Sequence, residues 1–103
     1  MKWHNDSSNL DKIAVDAVNS KNLGAPECCS DPYVHVYAHK RSANRGSAWV
    51  WCSSCGAYSH FTFPISDEWE NCTKIDFEKL TAVPEYLETM NTVVDEHLNN
   101  YLH

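Results

Sequence analysis

The chain has 103 residues and a net charge of −6, enough length for one domain with a modest core and too acidic for broad nucleic-acid binding, where clustered Lys and Arg carry most of the affinity. The N-terminal Met1-Lys2-Trp3-His4-Asn5-Asp6 lacks a signal-peptide apolar run, and no segment has the apolar length of a membrane span. We therefore expect a cytoplasmic, reducing setting, in which the five cysteines act as metal ligands or buried hydrophobes rather than disulfides. The charge is uneven: residues 1–65 carry six basic and five acidic side chains, whereas residues 66–103 carry two lysines and nine acids. The C-terminal third should present an acidic surface, which speeds encounter with a basic partner.

In chain order, residues 7–23 predict a helix, because Leu10, Ile13, Ala14, Ala17 and Val18 fall on one helical face. Ser8 and Asp11 resemble a capping box, Gly24 suits a C-terminal cap, and Pro26 prevents continuation. Residues 33–39 alternate strictly, with Tyr33, His35, Tyr37 and His39 on one side and Val34, Val36 and Ala38 on the other, the pattern of a strand. Residues 40–46 predict a basic loop carrying Lys40, Arg41 and Arg45. Residues 47–52 form a second strand, with Trp49 and Trp51 opposite Ala48, Val50 and Cys52, and residues 57–63 form a third. Ser66-Asp67-Glu68 has the composition of a helix start. Residues 67–81 fit a helix or a strand. Residues 84–102 predict one helix, with Pro84 in its first turn and Leu87, Met90, Val94, Leu98 and Tyr101 as a stripe.

Cys52-Ser53-Ser54-Cys55-Gly56, placed between two strands, is the most chemically specific segment. Two thiols three positions apart followed by glycine form a knuckle that aims both sulfurs at one point. Cys28 and Cys29 lie upstream at a distance suited to completing a tetrahedral site. Being adjacent, they co-ligate only if the backbone turns sharply; otherwise one is packed and a histidine, His35 or His60, substitutes. Cys72 is the spare. Trp51-Cys52-Ser53-Ser54-Cys55-Gly56 in this strand–knuckle–strand context resembles the second knuckle of zinc-ribbon proteins, over roughly residues 26–63 by a coarse boundary estimate. The adjacent upstream pair departs from the spaced pair usual there. The resemblance implies a structural Zn2+. The Trp-Cys-x-x-Cys also resembles thioredoxin-like oxidoreductases, but strand-like residues follow where that family opens a helix. Zinc deaminases pair a His-x-Glu with a Pro-Cys-x-x-Cys, and this chain has neither.

These elements predict an α+β protein: a small three-stranded antiparallel, zinc-ribbon-like sheet flanked by N-terminal and C-terminal amphipathic helices. We expect one domain over 1–103, with helix at 7–23, the knuckle sheet at 26–63 and an acidic, mainly helical segment at 66–103. No nucleotide loop or catalytic signature is present, so the expectation is a non-enzymatic, zinc-stabilised protein, with thiol-redox and zinc-hydrolytic activity as weaker readings. In general character, though not in motif, it resembles small acidic bacterial immunity proteins. That resemblance implies that it binds and inhibits or adapts a basic protein partner. The candidate contact residues are Asp67, Glu68, Glu70, Glu85, Glu88, Asp95 and Glu96. The alternative is a zinc-ribbon nucleic-acid-associated module, with Tyr33, Tyr37, Trp49 and Trp51 as a stacking face and Lys40, Arg41 and Arg45 on phosphates. Two amphipathic helices for two sheet faces favour a covered aromatic face.

Overall fold

A computed structural model describes residues 3–42 and 45–103, without the side chains of Ser7 and Ser8. It is a small α+β structure. Strand β1 (His4–Asn5) leads into helix α1 (Ser7–Ser20), followed by strands β2 (Val34–Ser42), β3 (Arg45–Cys52) and β4 (Ala57–Phe63). An irregular segment then carries one 3₁₀ turn (Phe77–Lys79) and leads to helices α2 (Glu85–Glu88) and α3 (Asn91–Leu102). The sheet has four strands in the order β1-β4-β3-β2, with β1 parallel to β4 and the other pairs antiparallel. The expected three-stranded sheet is therefore corrected to a mixed four-stranded one. The added strand is two residues long, too short to show a period-2 pattern.

Register places His35 opposite Trp51, Tyr37 opposite Trp49 and His39 opposite Ser47, while Trp51 faces Tyr58 and Trp49 faces His60. One face of the sheet is thus aromatic and imidazole-rich, as the alternation predicts. The other carries Val36, Ala38, Ala48, Val50 and Ala57. Helix α1 covers this aliphatic face with Leu10, Ile13, Ala14, Ala17 and Val18, all buried. The Ser59 hydroxyl of β4 donates to the Asp11 carboxylate, tying helix to strand. This is the role the structure gives Asp11; the Ser8 half of the expected capping box lies outside the described side chains. The helix stops at Ser20, short of residue 23, because Lys21 takes a left-handed conformation (φ 51°) and its N–H reaches back to the Asp16 carbonyl. Lys21, rather than Gly24, is the C-cap.

The C-terminal third covers the aromatic face. Tyr37, Trp49 and Trp51 pack there with Cys72, Ile75, Leu87 and Val94. Residues 64–76 are neither helix nor strand. Ser66 caps only a turn, its hydroxyl accepting from Glu68 N–H and its carbonyl from Trp69 N–H. Two side chains fix this segment to the outer edge of β2. Buried Trp69 donates to the Ala38 carbonyl at 3.0 Å, and the Asn71 amide bonds both the N–H (2.7 Å) and the C=O (2.8 Å) of Lys40, standing in for a missing strand. The predicted helix over 84–102 is broken at Thr89–Met90, whose N–H groups bond the carbonyls of Tyr86 and Leu87 three residues back. The tightened turn leaves the Leu87–Val94–Leu98 stripe buried and sets Glu88 and Asn91 over the same part of the sheet. At the other end of β3 the strands run to Ser42 and from Arg45, so the expected 40–46 loop shrinks to the hairpin tip, and residues 43 and 44 lie outside the described residues.

Candidate metal centre

The β3–β4 connection is the predicted knuckle. Gly56 N–H closes onto the Cys52 carbonyl at 3.0 Å, and Gly56 adopts φ 83°, a left-handed conformation that a Cβ would strain. Bends at residues 28–31 supply the sharp turn that adjacent cysteines require. The sulfurs of Cys28, Cys29, Cys52 and Cys55 all lie within 4.8 Å of one another, and Cys29 Sγ is 3.8 Å from Cys52 Sγ. A disulfide bond is about 2.05 Å long, whereas a tetrahedron with Zn–S bonds of about 2.3 Å has sulfur–sulfur edges of about 3.8 Å. All five cysteines are free. Four thiols on one cation-sized space could hold a metal ion, and an all-sulfur tetrahedral set suits zinc.

The surroundings favour a thiolate at Cys52 and oppose it at Cys28 and Cys29. Burial pushes the Cys52 thiol up, but the backbone N–H groups of Tyr33, Cys55 and Ser54, with the Cys28 thiol, outweigh it and hold Cys52 at about 7. Burial pushes Cys28 up, reinforced by the Cys52 and Cys55 sulfurs. Burial also raises Cys29, opposed by the Asp31 N–H. Crowding thiols in this way disfavours several negative sulfurs at once, unless a divalent cation compensates them. The amides aimed at Cys52 and Cys29 would then offset the excess negative charge of a tetrathiolate.

The two histidine substitutes lie elsewhere. Both ring nitrogens of His35 are engaged, Nδ1 by Asp95 at 2.7 Å and Nε2 by Ser53 Oγ at 2.7 Å. His60 stacks on Trp49 with ring centroids 4.3 Å apart. Cys72 packs in the aromatic cluster, outside the four-sulfur group.

Beside the knuckle lies a polar lattice that sequence reasoning missed. Trp51 Nε1 donates to Glu88 (2.9 Å) and Asn91 (3.1 Å). Ser53 Oγ lies 3.1 Å from both Glu88 oxygens and accepts from Asn91 Nδ2 at 3.1 Å. Tyr33 donates to Asp95 at 3.0 Å. The available signal was the i, i+3, i+7 spacing of Glu88, Asn91 and Asp95, a polar stripe beside the apolar one. Ser53, His35 and Asp95 stand in the order used for nucleophilic hydrolysis, but the half-buried Ser53 hydroxyl is shared among His35, Glu88 and Asn91. A carboxylate beside it opposes the oxyanion such chemistry must stabilise, and His35 is fully buried. The lattice instead clamps the knuckle to α2 and α3.

Of the acidic candidates, Glu88 and Asp95 thus point into the lattice. Asp67, Glu68, Glu70, Glu85 and Glu96 are exposed, with Glu68 paired to Lys21 at 2.8 Å. Of the aromatic candidates, Tyr37, Trp49 and Trp51 are buried and Tyr33 is exposed. Lys40 Nζ reaches the carbonyls of Ser66 and Asp67 at 3.5 and 3.4 Å, whereas Arg41 and Arg45 are exposed. No helix among the described residues is long and apolar enough to cross a membrane. Comparison with known proteins places no family on this geometry: no protein-family model, curated protein or solved structure matches the chain.

Proposed function

We propose that this chain is a small, non-enzymatic, zinc-stabilised protein that docks a basic protein partner. The observation that carries the zinc reading is the convergence of Cys28, Cys29, Cys52 and Cys55 within 4.8 Å. The ion's work is structural. It staples the connection over 21–33, which has no helix or strand, to the turn between β3 and β4. Four protein ligands leave no open coordination position for substrate, which supports a structural over a catalytic metal. A reducing compartment such as the cytoplasm keeps such thiols available. The partner reading is supported by the exposed acids Asp67, Glu70, Glu85 and Glu96 on the C-terminal third. It keeps the general character of an inhibitor or immunity protein, with Glu88 and Asp95 reassigned to holding the fold.

Metal content and partner capture test the two halves separately. Mass spectrometry under non-denaturing conditions should find one zinc per chain, lost in Cys52→Ser and Cys55→Ser. Capture from the native extract should be salt-sensitive and abolished when Asp67, Glu70, Glu85 and Glu96 are all changed to Lys. Capture that survives this reversal would refute the acidic surface, whatever the metal result.

A further inference from the structure

The hairpin end of the aromatic face holds a cavity of about 340 Å³ that the zinc reading does not use, lined by His39, Arg41, Ser47, Trp49, His60, Phe77, Glu78 and Leu80. Its walls are flat. His39 stacks on Phe77 with centroids 4.3 Å apart and an interplanar angle of 18°, and His60 stacks on Trp49 at 4.3 Å and 13°. Phe77 is half exposed, whereas Trp49 in the same lining is buried. The polar groups are unspent. Arg41 and Glu78 line the same cavity, yet neither is in a salt bridge among the described residues. Ser47 is only 7% exposed, and no hydrogen bond engages its hydroxyl among the described residues. Burial, then the Arg41 charge, holds both His39 and His60 below the usual imidazole range, so both rings are neutral stacking surfaces near neutral pH.

The arrangement specifies its ligand. Flat aromatic and imidazole walls take a planar ring. A free guanidinium takes an acidic group, best a phosphate or carboxylate. A free carboxylate in the same cavity requires hydrogen-bond donors on the same molecule, which a simple aromatic acid lacks. The volume lies at the low end of the roughly 300–1,000 Å³ typical of ligand pockets, enough for one ring system and one acidic group. We propose that this cavity binds a nucleoside monophosphate, either free or as the terminal nucleotide of a single strand. The base lies against the His39–Phe77 and His60–Trp49 stacks, the phosphate meets Arg41, and a sugar hydroxyl or base amine donates to Glu78. This site is independent of the metal and of the acidic docking surface.

The test is a titration of the zinc-loaded full chain, read by NMR shifts of the His39 and His60 rings. The probes are AMP, adenosine, inorganic phosphate and a short single-stranded RNA with a 5′-phosphate. AMP should give saturable shifts at both rings, and adenosine should bind about tenfold more weakly for lack of the charge-assisted bonds. Arg41→Ala should reduce AMP to the adenosine level, and Phe77→Ala should weaken both by about tenfold. Arg41 and Phe77 are exposed, so both variants should keep the parent's spectrum elsewhere. Saturation by AMP supports the free nucleotide as source; saturation by the RNA alone supports the strand terminus. No saturable shift with any probe to about 10 mM, a value typical of negligible affinity, would overturn the proposal. So would phosphate alone reproducing the AMP shifts, or unchanged AMP affinity in Arg41→Ala.

Discussion

The two ends of the central strand β3 (Arg45–Cys52), about 23 Å apart by strand rise, solve different problems. At Cys52 every strong polar group is matched: four sulfurs share one space, and Trp51, Ser53, His35, Asp95, Glu88 and Asn91 satisfy one another. At Arg45 the sheet edge is held by backbone fit and two side chains, Asn71 on Lys40 and Trp69 on Ala38, while Arg41 and Glu78 have no salt bridge among the described residues beside an open cavity. Groups that are buried and mutually satisfied define shape, because breaking one leaves another desolvated and unpaired. Exposed charges that line a cavity without a partner among the described residues stay available to a ligand. The contrast assigns structure to the knuckle end and recognition to the hairpin end.

The largest effect should come from the metal. Structural zinc sites contribute apparent binding free energies of about 10–16 kcal/mol, comparable with or above the whole net stability of about 5–15 kcal/mol for a small domain. Strong chelator should therefore unfold at least the 21–33 connection and the knuckle, followed by circular dichroism and amide exchange, while the hairpin end loses protection last. Acidification should release the ion as protons compete for the thiolates.

Next comes the lattice. His35→Ala removes one partner each of Asp95 and Ser53 and should cost about 1–3 kcal/mol in denaturant unfolding, the scale for leaving buried polar groups without a partner. A cost below the scale of one ordinary hydrogen bond would mean that the lattice is ornamental. Gly46→Ala probes the opposite end. A Cβ there would meet the His39 carbonyl at 2.4 Å and Ile65 Cδ1 at 2.5 Å, so about 1–3 kcal/mol of overpacking is expected, with zinc content unchanged.

The smallest effect is on pH. His39 and His60 have folded-state values below the ordinary imidazole value, so below about pH 6.5 the unfolded chain binds more protons than the folded one. Their contribution is complete above that pH and is lost as pH falls toward the depressed values. A metal-saturated sample should show a shallow decline in unfolding midpoint as pH falls below about 6.5, reduced in a His39→Gln, His60→Gln variant.

The difference between the ends also explains what the sequence revealed. Alternation from Tyr33 to His39 and from Ala48 to Cys52 shows both strands and both faces, because period 2 is a local property. The knuckle reads directly from Cys52, Cys55 and Gly56. The convergence of Cys28 and Cys29 does not: Pro26 and Ser30-Asp31-Pro32 mark a turn around them, but not the point at which that turn aims their sulfurs. Nor did the break at Thr89–Met90: its apolar stripe is continuous, and the interruption reflects Glu88 and Asn91 reaching Trp51 and Ser53. Residues 67–81 fit both patterns because they form no strand and only one 3₁₀ turn (Phe77–Lys79); Trp69 and Asn71 hold the segment by long-range bonds to β2. His39 and His60 come together with Phe77 and Glu78 only through the strand register and the path of the segment after β4.

Zinc K-edge X-ray absorption on the purified chain tests the central claim most directly. The account predicts one zinc per chain with four sulfur neighbours at about 2.3 Å and no nitrogen in the shell. A shell containing imidazole nitrogen, or a folded chain with no stoichiometric metal and a Cys52–Cys55 disulfide, would contradict it.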